Sequence, residues 1–464
     1  MLIWPWSQQH ERTHELFPIG LGYLVANIDH ARFEVCILDC ALENLRPDSE
    51  AFRQRLLAFN PAILGVSWWS LNTPVVEETL AVARALLPNA VLLAGGPHVA
   101  GCAETIVGCQ AVDYAFVGEA EQGFTLLLDA LTAEGESPTF VSLEKIPGLV
   151  FRDGQRVVLV PQQFVEYLDL VRGVDYERTR LREYHAQGYY YGAKLQKQSE
   201  LTAPLMTARG CPFRCTFCMA PTIDGKKIRR HSLQYVVETV QRLYHEYGVR
   251  YIAIIDDNFT IDHKWATSVC NAIADLNLSD LAIGTPNGIP LVAGITKELA
   301  TAMKRAGWRE VMLAPESGSK ATLKAMDKPI NLDAIPDFIQ VFHEVGMKVS
   351  AFFIIGYPDE TLEDIALTEK FILDTDFDFV GISIFQPLPG SKIYQSLVDQ
   401  GTIPAGFIPG HYQEVTFPRK NIDNETLRDV YNQLWNRYRE HKGMPIQNRA
   451  VATIREHQVV SRFS

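Results

Sequence analysis

The stretch ARGCPFRCTFCMAP, residues 208–221, places Cys211, Cys215 and Cys218 in the spacing Cys-x3-Cys-x2-Cys. Structural zinc sites usually pair two Cys-x2–4-Cys knuckles. No second knuckle follows here, and the nearest histidine is His231. A disulfide or redox pair uses two cysteines, not three. An iron–sulfur cluster fits best: thiolates bind iron, and a [4Fe–4S] cube held by three cysteines keeps one iron open for a ligand.

The surrounding pattern places this loop at the end of a strand. PLMTARG (204–210) runs directly into the cysteines, and five more apolar runs follow: YIAIIDDNF (251–259), LAIGTPNGI (281–289), EVMLAPESGS (310–319), KVSAFFIIGYPDE (348–360) and FVGISIFQPLPGS (379–391). Helical stretches lie at 232–248, 296–307, 332–346 and 361–375. Gly248, Gly307 and Gly346 each follow a helix, where a left-handed cap is wanted. Six β/α units give an open, partial parallel barrel, with chemistry expected past the carboxyl ends of its strands.

The N-terminal part also alternates strand and helix. FEVCILD (33–39), AILGVSW (62–68), AVLLAGG (90–96) and DYAFVGE (113–119) read as buried strands, and 72–88 as an amphipathic helix with Pro74 in its first turn. Such a series predicts a doubly wound, Rossmann-like α/β sheet, which binds ligands at its strand ends. Those ends carry Asp39, Ser67, Trp68, Trp69, Gly95, Gly96, Pro97, His98, Gly118 and Glu119. Gly95 and Gly96 permit close approach to a large ligand, although tight strand-to-helix turns account for them as well.

The expected organisation is a Rossmann-like domain at 1–140, a linker at 141–200, the partial (β/α)6 barrel at 201–395 and a small helical C-terminal cap at 396–464. In the linker, 146–161 reads as a hairpin turning at Asp153-Gly154. Tyr189, Tyr190 and Tyr191 read as packing between domains. The cap holds one helix at 424–443.

A chain of 464 residues supports two or three domains. Its 47% hydrophobic and 21% charged residues suit a folded protein. A net charge of −12 argues against nucleic acid as a partner. No apolar run has the length of a membrane span, and the first residues lack the features of a signal peptide. A cytoplasmic location is therefore expected, with reduced thiols. The scattered Cys36, Cys40, Cys102, Cys109 and Cys270 read as small buried residues.

The cysteine spacing, with aromatic Phe217 before the last cysteine, resembles the signature of the radical S-adenosylmethionine (SAM) enzymes. The wider arrangement is similar to the members with an N-terminal cobalamin-binding domain. Supporting stretches are FPIGLGYLVANI (17–28), GGPH (95–98), VGEAE (117–121), DDNFT (256–260), APESGS (314–319), FFIIGYPDET (352–361) and PLPGS (387–391). The resemblance implies three cofactors. A [4Fe–4S] cluster is held by Cys211, Cys215 and Cys218. SAM is contacted around Asp257, Asn258, Glu316, Ser317 and Gly356. Cobalamin (methylcobalamin) lies at the strand ends of the first domain. An Asp-x-His-x-x-Gly run, which would supply histidine to cobalt, is absent, and His98 reads as a packing or hydrogen-bonding residue. The resemblance further implies methyl transfer to an unactivated carbon through a 5′-deoxyadenosyl radical. The alternatives are a non-methylating cyclisation or rearrangement and, outside catalysis, a cobalamin or redox sensor. It also implies a small-molecule, lipid, tetrapyrrole or peptide substrate and an external electron donor such as flavodoxin or ferredoxin.

Overall fold

The computed structural model describes residues 1–6, 17–133, 138–189, 195–197, 199–292, 294–445, 453–454 and 461. Tyr190 and Tyr191 lie outside them.

The first domain is built on a seven-stranded sheet: β1 (Leu2–Trp4), β2 (Ile37–Asp39), β3 (Ile63–Ser67), β4 (Val91–Gly95), β5 (Tyr114–Phe116), β6 (Leu149–Asp153) and β7 (Arg156–Leu159). Their spatial order is β2-β1-β3-β4-β5-β6-β7. The pairs from β2 through β5 are parallel, whereas β5–β6 and β6–β7 are antiparallel. Apolar clusters cover both faces, one including Leu38, Leu64, Val66 and Leu92, the other Leu2, Leu93, Phe116 and Leu127.

Two features differ from the sequence expectation. The chain opens with a three-residue strand, Leu-Ile-Trp, that lies inside the sheet between β2 and β3; its shortness hides its periodicity. The hairpin turning at Asp153-Gly154 forms as expected, but it extends the first sheet from β5 instead of belonging to a linker. Because β1 pairs with β2 on one side and β3 on the other, the strand order reverses there. That reversal opens a ligand crevice at the carboxyl ends, beside Trp4 and Ser67.

The second domain begins with β8 (Thr202–Leu205). Next, β9 (Ala208–Arg209) and β10 (Arg229–Arg230) form a two-stranded antiparallel ribbon that closes the neck of the cysteine loop. The barrel continues through β11 (Tyr251–Ile254), β12 (Ala282–Gly284), β13 (Glu310–Glu316), β14 (Lys348–Ile355) and β15 (Phe379–Ile384). Strands β8, β11 and β12 form one parallel sheet and β13, β14 and β15 another. Bridges Ile283–Trp308 and Ile289–Leu313 join them into one open barrel of six strands. The intervening helices are capped as their sequences allow: Ser232, Asp262, Thr296, Ser319 and Thr361 each accept a backbone N–H of the first turn. Gly248, Gly307 and Gly346 have φ of 78°, 109° and 72°, the left-handed ends expected of them. The helix Asn424–His441 packs on the last strand, with Tyr431 Oη donating to Ile382 O at 3.0 Å and Val380 N donating to Tyr438 Oη at 3.1 Å. No helix among the described residues is long and apolar enough to cross a membrane.

Candidate active site

The three cysteines lie on the loop between β9 and β10. Gly210 has φ 106°, and a Cβ there would sit 2.2 Å from Lys227 O, so only glycine lets the chain enter this loop. Buried Asp256, just past β11, accepts the N–H of Thr207 at 2.6 Å and also its hydroxyl, which ties the ribbon to the barrel. Burial pushes this carboxyl up to about 7. Between the second and third cysteines, Thr216 N donates to Met326 O at 2.9 Å, and its hydroxyl shares a 2.5 Å hydrogen bond with Tyr357 Oη. The loop is thus held from three sides.

Cys211, Cys215 and Cys218 line an open cleft at the barrel mouth with a cavity volume of about 180 Å³, together with Phe213, Phe217, Asp257, Asn258, Asn287, Glu316 and Lys328. Among the described residues no three His, Cys, Asp or Glu side chains converge on a point that a single ion could fill. Three thiols on one loop of the cleft are a donor set that suits a cube whose cysteines bind different irons. Burial pushes the Cys218 thiol up to about 12, so cluster assembly must displace its proton.

The polar residues of the cleft come from the ends of β11 and β13 and from loops. Asp257 presents accessible surface to the cleft, yet burial among protein groups pushes its carboxyl up to about 6. Asn258 donates to Gly210 O at 3.4 Å. Glu316 ends β13 at a register shift against β14 and has φ 66°. A left-handed conformation at a side-chain-bearing residue costs about 1–2 kcal/mol, and here it accompanies a bulge that re-aims the carboxylate. Lys328 Nζ donates to it at 2.9 Å. Burial opposes the Lys328 charge, but Glu316 and the neighbouring Cys215 and Cys218 outweigh it and raise its pKa. Lys328 thus stays cationic beside the triad. Neither it nor Asn287 is marked by a sequence pattern, because both sit in irregular loops, apart from the PNG turn around Asn287.

Two expected SAM contacts do not line this cleft. Ser317 is fully buried, its Oγ 3.0 Å from Thr368 Oγ1. Gly356 has φ 75° and lies under the cap, where a Cβ would meet Leu427 at 2.7 Å and Arg419 Nε at 3.0 Å.

The first domain presents a second rim. Gly95 faces open space, since a Cβ there would meet nothing within 4 Å. Gly96 has φ 109°, and a Cβ would lie 2.9 Å from Trp68 O, so this tight turn requires glycine. Trp69 is 37% exposed and edge-on to Trp4 at 6.5 Å, at the topological reversal. Ser67 and Pro97 are half-buried beside it. An apolar ring next to side-chain-free backbone suits a large flat macrocycle.

Other residues expected at this rim have partners within the protein. Trp68 is fully buried, donates from Nε1 to Thr73 Oγ1 at 3.0 Å and stacks on His98 at 5.1 Å. His98 is buried, with Nδ1 3.0 Å from Ser70 Oγ, and burial pulls its pKa down to about 4, so it is neutral. Asp39 is buried and accepts Leu42 N at 2.8 Å and Tyr184 Oη at 2.7 Å. Gly118 lies against Gln162 and Ile223 O. Glu119 is turned toward Arg229, whose Nη1 donates to it at 2.9 Å.

Comparison with known proteins finds a family for each domain. The radical SAM superfamily model matches residues 205–372, and the B12 binding domain model matches residues 10–128. A protein of Pyrococcus horikoshii named as an uncharacterized methyltransferase is 30% identical over 382 residues, covering 82% of this chain and 78% of the relative. This chain belongs to the B12-binding radical SAM enzymes. The cytidylyl-2-hydroxyethylphosphonate methyltransferase of Streptomyces wedmorensis is 28% identical over 439 residues, covering 85% of this chain and 80% of that protein. The radical SAM methyltransferase TsrM of Kitasatospora setae shares the fold, with a TM-score of 0.69, 19% identity and coverage of 86% of this chain and 75% of that one. The cofactors of this B12-binding radical SAM enzyme are a [4Fe–4S] cluster, SAM and cobalamin.

Proposed function

We propose that this enzyme transfers a methyl group to an unactivated carbon of a small organic substrate. When bound, the cluster with SAM supplies a carbon-centred radical, and cobalamin supplies the methyl group. The observation that carries the reading is the presence in one chain of a three-thiol cleft and a separate glycine–tryptophan rim at a topological reversal. Similarity over 82% and 85% of this chain to two proteins named as methyltransferases supports it.

The protein's own groups divide the work by position. Cys211, Cys215 and Cys218 hold three corners of the cluster. Lys328, cationic beside them, and Glu316, aimed into the cleft by its bulge, bind and orient the charged and polar groups of SAM. Asp257 and Asn258 flank the same space. The apolar wall of Phe213, Phe217, Ile289 and Leu291 excludes water from a reactive carbon centre. Trp69 and Gly95 seat the corrin. An external donor would supply the two electrons each turnover needs, one through the cluster and one to the cobalamin.

The test is stoichiometric. A methyltransferase using both cofactors consumes two SAM molecules per product. One yields 5′-deoxyadenosine and the other S-adenosylhomocysteine, in near-equal amounts, and a deuterated S-methyl label enters the product. Substrate-dependent 5′-deoxyadenosine with no labelled methyl in any product overturns methyl transfer in favour of a radical cyclisation or rearrangement.

A further inference from the structure

We propose that Glu119 and Glu121 are positioning residues that fix the cysteine loop, and with it the cluster, against the cobalamin-binding sheet. These two acids end the VGEAE stretch after β5, at the ligand rim of the first domain. Their side chains leave that domain. Arg229 embraces Glu119 through both terminal nitrogens, Nη1 to Oε2 at 2.9 Å and Nη2 to Oε1. Arg209 Nη2 donates to Glu121 Oε1 at 2.8 Å, and its Nη1 lies 3.5 Å from Glu119 Oε2. Arg209 and Arg229 are register partners on the β9–β10 ribbon. Arg209 stands two residues before Cys211, so the acids grip the neck of the cysteine loop.

The clamp is sealed from solvent. The arginine side chains are 4% and 3% exposed, and those of Glu119 and Glu121 are 6% and 9% exposed. Further contacts surround it, leaving Nε of Arg209 and of Arg229 without a hydrogen-bond partner. Arg229 donates to Val165 O at 2.9 Å and to Asp224 O at 2.7 Å, Arg209 lies 4.6 Å over the Tyr23 ring, and Gln162 Nε2 donates to Glu119 O at 2.8 Å. Burial alone would raise the Glu121 carboxyl, but Arg209 holds it below its ordinary range.

Exposed ion pairs move freely and fix little. A bidentate arginine–carboxylate pair shut away from water has one good geometry, and buried ionic groups are best attested as devices of register. Register between the domains is what this chemistry needs. On the methyl-transfer reading proposed above, on which this inference rests, a radical made at the cysteine cleft and a methyl group held on the other domain must reach the same substrate carbon, where an error of about 1 Å is costly. The clamp links the cluster loop directly to the end of β5.

The experiment uses the full-length protein carrying its cluster and cobalamin, poised so that the reduced cluster and cob(II)alamin are both paramagnetic. Pulsed dipolar spectroscopy then reads the distance between them without any substrate. The wild type should give one narrow distance. Glu119→Gln, which keeps shape, and Arg229→Lys, which keeps charge but loses the fork, should broaden or shift that distance while iron and cobalamin contents stay at wild-type levels. An unchanged narrow distance in both variants overturns the proposal. If Glu119→Gln loses a cofactor, Arg229→Lys carries the test. Loss of both cofactors from Arg229→Lys with a lowered melting temperature assigns the pair to folding alone and also overturns it. Iron and cobalamin contents of the wild type are read separately, so a failure of the cofactor assignment is distinguishable from a failure of the clamp.

Discussion

Lys328 Nζ donates to Glu316 Oε1 at 2.9 Å inside the cysteine cleft, joining a left-handed carboxylate on β13 to a loop lysine twelve residues later. A half-buried lysine and a buried glutamate that satisfy each other are ready to exchange partners with a zwitterionic ligand such as SAM. Removing one charge-assisted hydrogen bond of this kind costs roughly 1.5–3 kcal/mol, on the order of ten- to a hundredfold in affinity. Lys328→Met and Glu316→Gln should each weaken SAM binding by that factor with the iron content unchanged, read as the SAM-induced change in the spectrum of the reduced cluster. Wild-type affinity in both variants would return the pair to a purely structural role.

The cluster itself gives the second prediction. The triple variant Cys211→Ala, Cys215→Ala, Cys218→Ala should lose iron and sulfide and all SAM cleavage. Cobalamin binding should persist, because β1–β7 carry their own apolar clusters on both faces. Anaerobic reconstitution followed by iron counting and cobalamin absorbance checks both halves. A full cluster signal in the variant would remove the triad from its role.

Much of this architecture is legible in the sequence where a signal is local. The cysteine spacing, the apolar strand runs and the glycines ending helices each report their own neighbourhood. Signals that depend on distant partners are not legible. The hairpin at 149–159 announces its turn but not that β5 is its neighbour. Leu2–Trp4 is too short to show a period, yet it lies at the reversal that creates the ligand crevice. Glu119 reads as a rim residue because its strand ends there, but its partner Arg229 is 110 positions away. Gly356 is required by its positive φ and by cap residues Leu427 and Arg419, and no local pattern shows them above it. Lys328 follows a helix of ordinary sequence, and only the folded cleft reveals its charge.

The third prediction concerns the contact between the domains at Gly101. This residue lies in the helix Pro97–Gly108 of the first domain, and a Cβ there would fall 2.3 Å from Pro389 O and 2.7 Å from Gly390 N, backbone atoms of the PLPGS loop after β15. Backbone cannot swing aside as a flexible side chain can, so Gly101→Ala must separate the two domains. Overpacking of this kind costs about 1–3 kcal/mol. A lower melting temperature and weaker cobalamin retention are expected, with iron content kept. A variant as stable as the wild type, holding cobalamin equally well, would show that the interface is looser than this contact implies.

The fourth prediction is a pH dependence centred on Glu360. This carboxylate accepts the N–H groups of Gly356 at 2.5 Å and Tyr357 at 3.2 Å, and so holds the turn whose Tyr357 hydroxyl meets Thr216 in the cysteine loop. Burial pushes its pKa from the ordinary 4.5 up to about 7, against the pull of those donors. Arg419, packed behind the same turn, directs its own donors to the carbonyls of Gly356, Phe417 and Phe385. Because the folded pKa lies above the unfolded one, the folded state binds the proton more tightly. The stability this contributes is complete below about pH 4.5, declines as pH rises and is gone above about pH 7; linkage sets its upper size at about 3 kcal/mol. Glu360→Gln removes the titration. The stability of the wild type relative to Glu360→Gln should therefore be greatest near pH 5 and fall steadily toward pH 8, measured by thermal unfolding of the cofactor-free protein. A difference that is flat across this range would mean that Glu360 is charged in the folded protein throughout, and that the turn is held by a carboxylate whose burial costs far less than its surroundings imply.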